Sequence, residues 1–365
     1  MLIKDIKVTA LEVPLKTTFK GSYYSMSKRA TLITEVITDE GISGIIYNGD
    51  EPYEQLEIRK IILDEILPLI KGMNPLDIGK IWDKSFSITR DILRNRDILV
   101  KAVSCVDSAL WDIAGKTAQM PLRQLWGSYH NKLPIIAIGG YYSDNLSDLT
   151  TEINDYRKLD IFGCKMKVGA VSPELDAERF IHMREIAGED FILIADANQG
   201  FSKDNAIKFC NVVQKYNFDW IEEPVEWNTE RKSLSSIRTR AKVAVAAGQS
   251  EISRRGILDL LDNNSIDICN FDASWGGGPS EWLKVAGLCA SYGIAMAHHE
   301  EPQISAQLLA SVKNTKYVEC FHPDRDPIFW GLIKNKKIDN GFYEIPNDPG
   351  WGIELNQKFI EKYKI

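Results

Sequence analysis

The sequence predicts an α/β fold built around parallel strands, most simply a barrel, with a smaller domain before it. From Leu133 onward, eight short β-rich runs alternate with amphipathic stretches. This order is typical of parallel strands joined by helical crossovers. The first 130 residues show no such alternation. The chain has 365 residues, which is enough for one large barrel and an addition.

The first part of the chain is predicted to form a strand meander followed by helices. "IKVTALEVPL" and "ATLITEVITDEGISGIIY" have strand patterns, with "DEG" as the turn. Helices are expected at 53–70, opened by Pro52, and at about 75–94, opened by Asn74 and Pro75. A third is expected at about 97–118, where apolar residues recur at helical spacing.

The second part supplies the eight predicted strands. In order they are "PIIAIGG", "GCKMKV", "FILIADAN", "FDWIEEP", "VAVAAG", "IDICNFD", "IAMAHH" and "KYVECF". A doubly wound open sheet is the alternative, but it requires a glycine-rich phosphate turn after its first strand, and "IGGYYS" matches that turn poorly. The tail after the eighth strand is expected to pack back on the first domain.

Composition excludes several classes of partner. The net charge is −7, and the only basic run is "KNKK" at 334–337, which argues against nucleic acid or an anionic membrane as partner. No apolar run approaches the ~18 residues of a membrane span, and "MLIKDIKVTA" lacks the apolar core of a signal peptide. The six cysteines form no C-x-x-C pair, so we expect reduced thiols, no zinc site and a cytoplasmic protein.

Ionisable or amide side chains stand at the ends of seven consecutive predicted strands. They are Lys165 and Lys167 on the second strand, Asp196 with Asn198 on the third, Glu222 and Glu223 on the fourth, Gln249 with Glu251 on the fifth, Asp272 on the sixth, His298 and His299 on the seventh, and Glu319 on the eighth. A barrel gathers these ends at one face, where its active site lies. The alternative, salt bridges on a barrel rim, explains fewer of these residues.

The residue types divide into two sets. Asp196 and Glu222 are hard oxygen donors that, with a third oxygen, suit Mg²⁺. Lys167 and His299 are bases on either side of that position, and Asp272 can fix the tautomer of His299. Lys165, beside Lys167, is expected to lower the pKa of Lys167. A Mg²⁺ ion between two bases suits removal of a proton next to a carboxylate.

Several motifs resemble those of the enolase superfamily, specifically its mandelate racemase subgroup. The matching pieces are "KMK" (165–167), "DAN" (196–198), "EEP" (222–224), "FDASWGGG" (271–278), "MAHH" (296–299), "ALWDIAGK" (109–116) and "NDPG" (347–350). The resemblance spans nearly the whole chain. It implies a modified TIM barrel, (β/α)₇β, at 131–330, with an α+β capping domain formed by 1–130 and the C-terminal segment 331–365.

The resemblance also implies roles for individual residues. One Mg²⁺ would be held by Asp196, Glu222 and the residue at 249. Lys167 would be one base and the Asp272–His299 dyad the other, with Lys165 beside them, and Glu319 would bond the substrate carboxylate. The family usually has glutamate where this chain has Gln249, so either Gln249 or Glu251 is the third ligand, and spacing favours Gln249.

Substrate contacts are expected from the capping loop and the barrel rim. Tyr23 and Tyr24 fall in the early loop that closes over the substrate in this family. The remaining candidates are Tyr141, Asn198 and His298, with His298 also an alternative base. One of Arg90, Arg94 and Arg96 could hold a distal carboxylate. A neutral Gln249 leaves the metal centre less negative, which would suit a diacid.

The expected reaction is dehydration of an acid sugar, an aldonate or aldarate, to a 2-keto-3-deoxy acid. Racemisation or epimerisation of a 2-hydroxy acid, and cycloisomerisation of a sugar-acid lactone, are the alternatives that use the same residues. A Schiff-base aldolase using Lys165 or Lys167, or a barrel that binds Mg²⁺ without catalysis, are alternatives from other classes. The expected partners are a small-molecule acid sugar and further copies of the chain in a homo-oligomer.

Overall fold

The structure, a computed structural model, describes residues 1–49, 52–143, 145–228 and 231–365. Its first part is a three-stranded antiparallel sheet in the order β1-β2-β3, with helices packed against it. The elements are β1 (Ile3–Lys20), β2 (Ser25–Thr38), β3 (Ser43–Asn48), α1 (Gln55–Ile61), α2 (Leu67–Ile70), α3 (Ile78–Phe86), α4 (Arg96–Ala118) and α5 (Leu122–Leu125).

The predicted helices are present, but two are less regular than their patterns indicate. The segment expected at 53–70 contains a π-helical turn, Ile62–Ile66, immediately before Pro68 in α2. Proline has no N–H to donate and its ring crowds the carbonyl four residues back, which a wider turn relieves. The helix expected at about 75–94 is α3 followed by a 3₁₀ turn, Ser87–Arg90.

The second part of the chain alternates strands and helices as predicted. The strands are β4 (Lys132–Gly139), β5 (Gly163–Lys167), β6 (Ile192–Asp196), β7 (Trp220–Glu222), β8 (Ala244–Ala247), β9 (Ile268–Cys269), β10 (Ala295–Met296) and β11 (Val318–Phe321). The helices between them are α6 (Ser147–Lys158), α7 (Pro173–Ala187), α8 (Lys203–Val213), α9 (Arg231–Ala241), α10 (Arg254–Asp262), α11 (Pro279–Ser291) and α12 (Pro302–Ala310).

These strands form a parallel ring. Strands β4 to β10 pair in chain order, and β11 pairs in parallel with the other edge of β4. Strand pairing is least extensive between β10 and β11. There, a single parallel bridge joins Met296 of β10 to Thr315, which precedes β11. A parallel barrel with seven crossover helices in the described residues confirms the fold class expected from the sequence.

An apolar layer inside the ring supports the polar site above it. The layer contains Ile136, Ile194, Trp220, Ala246, Ile268, Ala295 and Ala297. Successive side chains of a strand point to opposite faces, so Asp196 lies above Ile194 and Glu222 above Trp220 on the same inner face. The indole N–H of Trp220 also donates to Glu222 Oε2 at 3.2 Å. On β6 and β7 the barrel interior therefore changes from apolar to ionic within two residues.

The C-terminal segment returns to the first part of the chain. Its elements are α13 (Pro327–Leu332), β12 (Ile338–Asp339), β13 (Phe342–Glu344) and α14 (Gln357–Tyr363). Strand β13 pairs antiparallel with the start of β4. At the chain end, the Ile365 N–H donates to the Ala10 carbonyl at 3.0 Å, and Trp351 N–H donates to Asp112 Oδ1 at 2.9 Å.

The loop after β9, residues 272–278, is held by the first part of the chain. Trp82 Nε1 donates to the Gly277 carbonyl at 2.6 Å, and Asn48 Nδ2 donates to Ser274 Oγ at 2.7 Å. Gly278 has φ +86°, and a Cβ there would lie 2.5 Å from Asp107 Oδ2. The glycines of "FDASWGGG" thus allow α3 and α4 to approach this loop closely.

The helices of the described residues include none that combines the length and the apolar character of a membrane span.

Candidate active site

The strand-end residues predicted from the sequence meet at the carboxyl end of the ring. Lys167 of β5 is in register with Asp196 of β6, which is in register with Glu222 of β7. All three side chains are buried, as is Lys165. Burying this many charges is favourable only when they pair with one another, and each lysine does so.

Lys165 is bonded to carboxylates on strands across the ring, β7 and β11, and Lys167 to a carboxylate on the adjacent strand β6. Lys165 Nζ lies 2.6 Å from Glu222 Oε1 and 2.7 Å from Glu319 Oε1. Lys167 Nζ lies 2.6 Å from Asp196 Oδ2. Strand β5 thus carries two ammonium groups on one face, and both point into a set of carboxylates.

The expectation that Lys165 lowers the pKa of Lys167 is wrong for this arrangement. Burial alone would lower the pKa of Lys167, but the charge of Asp196 outweighs burial and raises that pKa well above its ordinary value. Burial likewise opposes the charge of Lys165, yet Glu222 and Glu319 raise its pKa. Lys165, whose Nζ is held by both carboxylates, is poorly placed to act as a Schiff-base amine.

The oxygen donors expected to hold Mg²⁺ fit that ion. Asp196 and Glu222 are adjacent, and Gln249 lines the same cavity as Lys167. Asn270 fixes the Gln249 side chain, because its Nδ2 donates to Gln249 Oε1 at 3.2 Å. Two carboxylates and an amide oxygen, without sulfur or nitrogen donors, suit a hard cation. Glu251 instead pairs with Arg231 and lines a separate small pocket, so position favours Gln249 over Glu251.

His299 forms the second basic group. Its Nδ1–H donates to Asp272 Oδ2 at 3.0 Å, and Asp272 Oδ1 accepts from the Ser274 N–H at 2.7 Å. Asp272 therefore both caps the loop and orients the imidazole, leaving Nε2 toward the cavity. Burial lowers the pKa of His299, but the charge of Glu300 and the bond to Asp272 outweigh it and raise that pKa to about 9.

His298 has a structural role instead of the expected contact with substrate. Its Nε2 accepts from the Ala273 N–H at 3.0 Å, and its Nδ1–H donates to the His299 carbonyl at 2.8 Å. It is fully buried, and both ring nitrogens are used. The same bonds explain why His298, Asp272 and Glu301, whose ligand atoms lie within 4.8 Å of one another, do not make a good metal site.

A cavity of about 390 Å³ connects the two basic groups. It is lined by Tyr23, Tyr24, Met26, Tyr141, Lys167, Asn198, Gln199, Trp227, Gln249, Trp275, His299, Glu300 and Phe321. Tyr23 is 75% exposed and Tyr24 is 36% exposed, as expected of a capping loop. A larger cavity of about 490 Å³ lies behind Tyr141, but it contains none of the strand-end lysines, metal-type carboxylates or His299.

Sequence reasoning missed part of this cavity. Trp227, Trp275 and Phe321 are apolar side chains of loops or strand ends, and nothing in their local pattern distinguishes them from core residues. Glu300 directly follows His299, so its position at a strand end was a usable signal. Arg94, one candidate for a distal carboxylate, instead bonds Glu65 at 2.6 Å and does not line the cavity.

Comparison with protein families identifies this architecture. Residues 3–127 match the family described as mandelate racemase / muconate lactonizing enzyme, N-terminal domain. Residues 148–359 match the family described as enolase C-terminal domain-like. The chain belongs to the enolase superfamily, in its mandelate racemase subgroup. The resemblance expected from the motifs is confirmed.

Individual relatives of this superfamily member differ in reaction. The chain is 30% identical over 342 residues to arabinonate dehydratase of Saccharolobus solfataricus, covering 91% of this chain and 90% of that protein. It is 27% identical over 382 residues to D-galactarolactone cycloisomerase of Agrobacterium fabrum, covering 100% and 99%. Other relatives are a further acid-sugar dehydratase and a dipeptide epimerase. The relatives of this chain therefore include both lyases and isomerases.

A solved structure supports the same grouping. A mandelate racemase/muconate lactonizing enzyme from a marine actinobacterium, crystallised in complex with magnesium, superposes with a TM-score of 0.95 at 42% identity, with both chains covered in full.

Proposed function

We propose that this protein removes the proton α to the carboxylate of an acid sugar, with Mg²⁺, and releases a 2-keto-3-deoxy acid. The observation that carries the proposal is that Lys167 and the Asp272-oriented His299 line one cavity together with Gln249. The magnesium complex of a similar protein and the dehydratases among the relatives support it.

Asp196, Glu222 and Gln249 are the proposed Mg²⁺ ligands. The ion would stabilise the negative charge that develops on the substrate carboxylate when the α-proton leaves. Lys165, bonded to both Glu222 and Glu319, keeps these carboxylates in place. Glu319 is proposed to bond the substrate carboxylate.

Lys167 and His299 are the proposed acid–base pair. Mg²⁺ held by Asp196 would offset the negative charge that raises the pKa of Lys167, and so would let Lys167 act as a base. One removes the α-proton, and His299 Nε2–H then gives a proton to the departing 3-hydroxyl, which leaves as water while the Cα–Cβ double bond forms. The resulting enol becomes the 2-keto-3-deoxy acid by taking up a proton at C3 and losing the proton of its C2 hydroxyl. The raised pKa of His299, about 9, suits a group that must donate a proton at neutral pH.

Epimerisation is the second candidate, because two bases that flank one α-carbon also support proton removal on one face and return on the other. Relatives include epimerases as well as dehydratases. In that case His299 would protonate carbon instead of a hydroxyl.

The test is a screen of acid sugars with the Mg²⁺-loaded protein in D₂O. We expect a 2-keto acid, detected by semicarbazide, from at least one compound. Incorporation of deuterium at Cα without a keto product would favour epimerisation. Neither product nor exchange with any acid sugar would contradict the proposal.

A further inference from the structure

The cavity carries a carboxylate that the proposed reaction does not use. Glu300 lines the cavity beside His299, and its side chain is 17% exposed. Its Oε1 lies 3.5 Å from His299 Nε2, on the ring edge opposite the bond to Asp272. Any substrate atom that reaches Nε2 therefore also meets Glu300.

Glu300 is held in this place by two hydrogen bonds and by a constrained backbone. Arg29 Nη2, on β2, donates to Glu300 Oε2 at 3.1 Å. The Glu300 backbone N–H donates to Glu319 Oε2 at 2.9 Å. Its backbone has φ +52°, a left-handed conformation that costs a non-glycine residue free energy and persists only where surroundings enforce it. The carboxylate is thus fixed in position and is not a mobile surface group.

Glu300 is an anion in this setting. Burial raises the pKa of its carboxyl, but the charges of Arg29 and His299 outweigh burial and lower that pKa. Arg29 itself is 4% exposed and lies behind Glu300, with its guanidinium 4.4 Å from the Phe321 ring centre. It lines a small inner pocket and not the substrate cavity.

The rest of the cavity has few cationic groups that could bind a second carboxylate of a substrate. Among its described lining residues, the cationic groups are Lys167, which is bonded to Asp196, and His299. No arginine is among the lining residues that the structure describes, and Arg325 lies beyond the Tyr141 ring, where it donates to Glu152. The far walls are aromatic or neutral: Tyr23, Tyr24, Trp227, Trp275, Asn198 and Gln199.

We propose that Glu300 determines substrate class: its fixed carboxylate accepts hydrogen bonds from substrate hydroxyl groups and disfavours a second carboxylate, so the substrate is a polyhydroxy monocarboxylic acid. This inference rests on the proposed function, in which an acid sugar occupies the cavity. It opposes the diacid preference expected from the neutral Gln249 alone, because Glu300 is a full negative charge inside the same cavity. Like charges brought together in a partly desolvated site are strongly unfavourable.

The test compares acids that differ only in oxidation of the terminal carbon. D-Gluconate is paired with D-glucarate, and D-galactonate with galactarate. Binding to the Mg²⁺-loaded protein is measured by calorimetry, and kcat/KM is measured for any acid that yields a keto product. We expect the wild-type protein to favour the monoacid at least tenfold in every pair that binds.

Variants assign the effect to this residue. Glu300→Gln should reduce the monoacid-to-diacid ratio at least tenfold, because it removes the charge and keeps the shape. Glu300→Asp, which keeps the charge, should preserve most of the ratio. Glu226→Gln, at an exposed carboxylate next to Trp227 that does not line the cavity, is the matched control and should change nothing.

Each outcome decides the inference. Wild-type binding of a diacid as tight as that of its monoacid would overturn it, even if Glu300→Gln failed to fold. A folded Glu300→Gln with an unchanged ratio would also overturn it. If monoacids bind preferentially but none yields a 2-keto acid, the proposed dehydration fails while the role of Glu300 stands. Failure of every acid to bind overturns both.

Discussion

The lysine side and the histidine side of the cavity are held by different parts of the molecule. Lys167 is fixed within the ring of strands, by Asp196 on the adjacent β6. His299 depends on Asp272, whose loop is held by Trp82 of α3, and it faces Glu300, which is held by Arg29 of β2.

This difference shows that the two bases can change independently. A substitution in the first part of the chain can alter the charge and orientation around His299 while leaving the Lys167–Asp196 pair as it is. The histidine side, where α3 and β2 contact the barrel loops, is where this chain can acquire its own selectivity.

The largest expected effect comes from removing either base. Lys167→Ala and His299→Asn should each lower turnover by about 10² to 10⁴-fold, the range of general acid–base catalysis. If the α-proton faces the lysine, His299→Asn should still exchange it slowly with D₂O; otherwise Lys167→Ala should. Lys215→Ala, at a lysine outside the cavity, is the control. Turnover near the wild-type rate in both variants would refute the pairing.

Substitutions at Gln249 and Glu251 should show which of the two residues is the third Mg²⁺ ligand. Chelation by EDTA should abolish activity and Mg²⁺ should restore it. In calorimetry, Gln249→Glu should bind Mg²⁺ more tightly, because a carboxylate replaces an amide, and should lower kcat, while Glu251→Gln should bind it as the wild type does. The opposite pattern, with Mg²⁺ binding lost in Glu251→Gln and kept in Gln249→Ala, would make Glu251 the third ligand.

The histidine side should give a pH-dependent contribution to stability. The folded-state pKa of His299 is raised to about 9 from 6.5. Burial, and to a smaller extent Lys165, oppose its charged form, but Glu300 and Asp272 outweigh them. The resulting stabilisation is fully present below pH 6.5 and is lost as pH rises through about 9, by at most about 3 kcal/mol.

Urea unfolding at several pH values measures this contribution. The free energy of unfolding should fall more steeply between pH 7 and pH 9.5 in the wild-type protein than in His299→Gln. Equal slopes in the two proteins would show that His299 is not paired as described.

The smallest expected effect is at Trp82. Trp82→Phe removes the hydrogen bond to the Gly277 carbonyl but keeps the stacking on Phe86, so it should cost about 1 kcal/mol of stability. Exchange of the α-proton on the histidine side should slow more than exchange on the lysine side. Equal slowing on both sides would remove the distinction between them.

The sequence was sufficient for the barrel and for most strand-end residues, because period-2 patterns and their polar ends are local signals. It was not sufficient where the result depends on distances between remote residues. The Arg29–Glu300 bond joins positions 271 residues apart. The raised pKa of Lys167 follows from a 2.6 Å contact with Asp196, not from its neighbour Lys165 in sequence. The resemblance favoured His299 over the adjacent His298 as the base, and the bonds that show it are the backbone bonds of His298 and the Asp272 bond of His299.

The contacts of α3 and α4 with the loop after β9 also affect the order in which the protein folds. Trp82 and Gly277 are 195 residues apart in the chain, so their bond closes a long loop. Closing such a loop is entropically costly and is favourable only after both ends are structured. The acid–base site should therefore be among the last features to form. In refolding, the far-ultraviolet circular dichroism of helices and strands should recover before catalytic activity does. A barrel made without residues 1–130 should not become catalytically active.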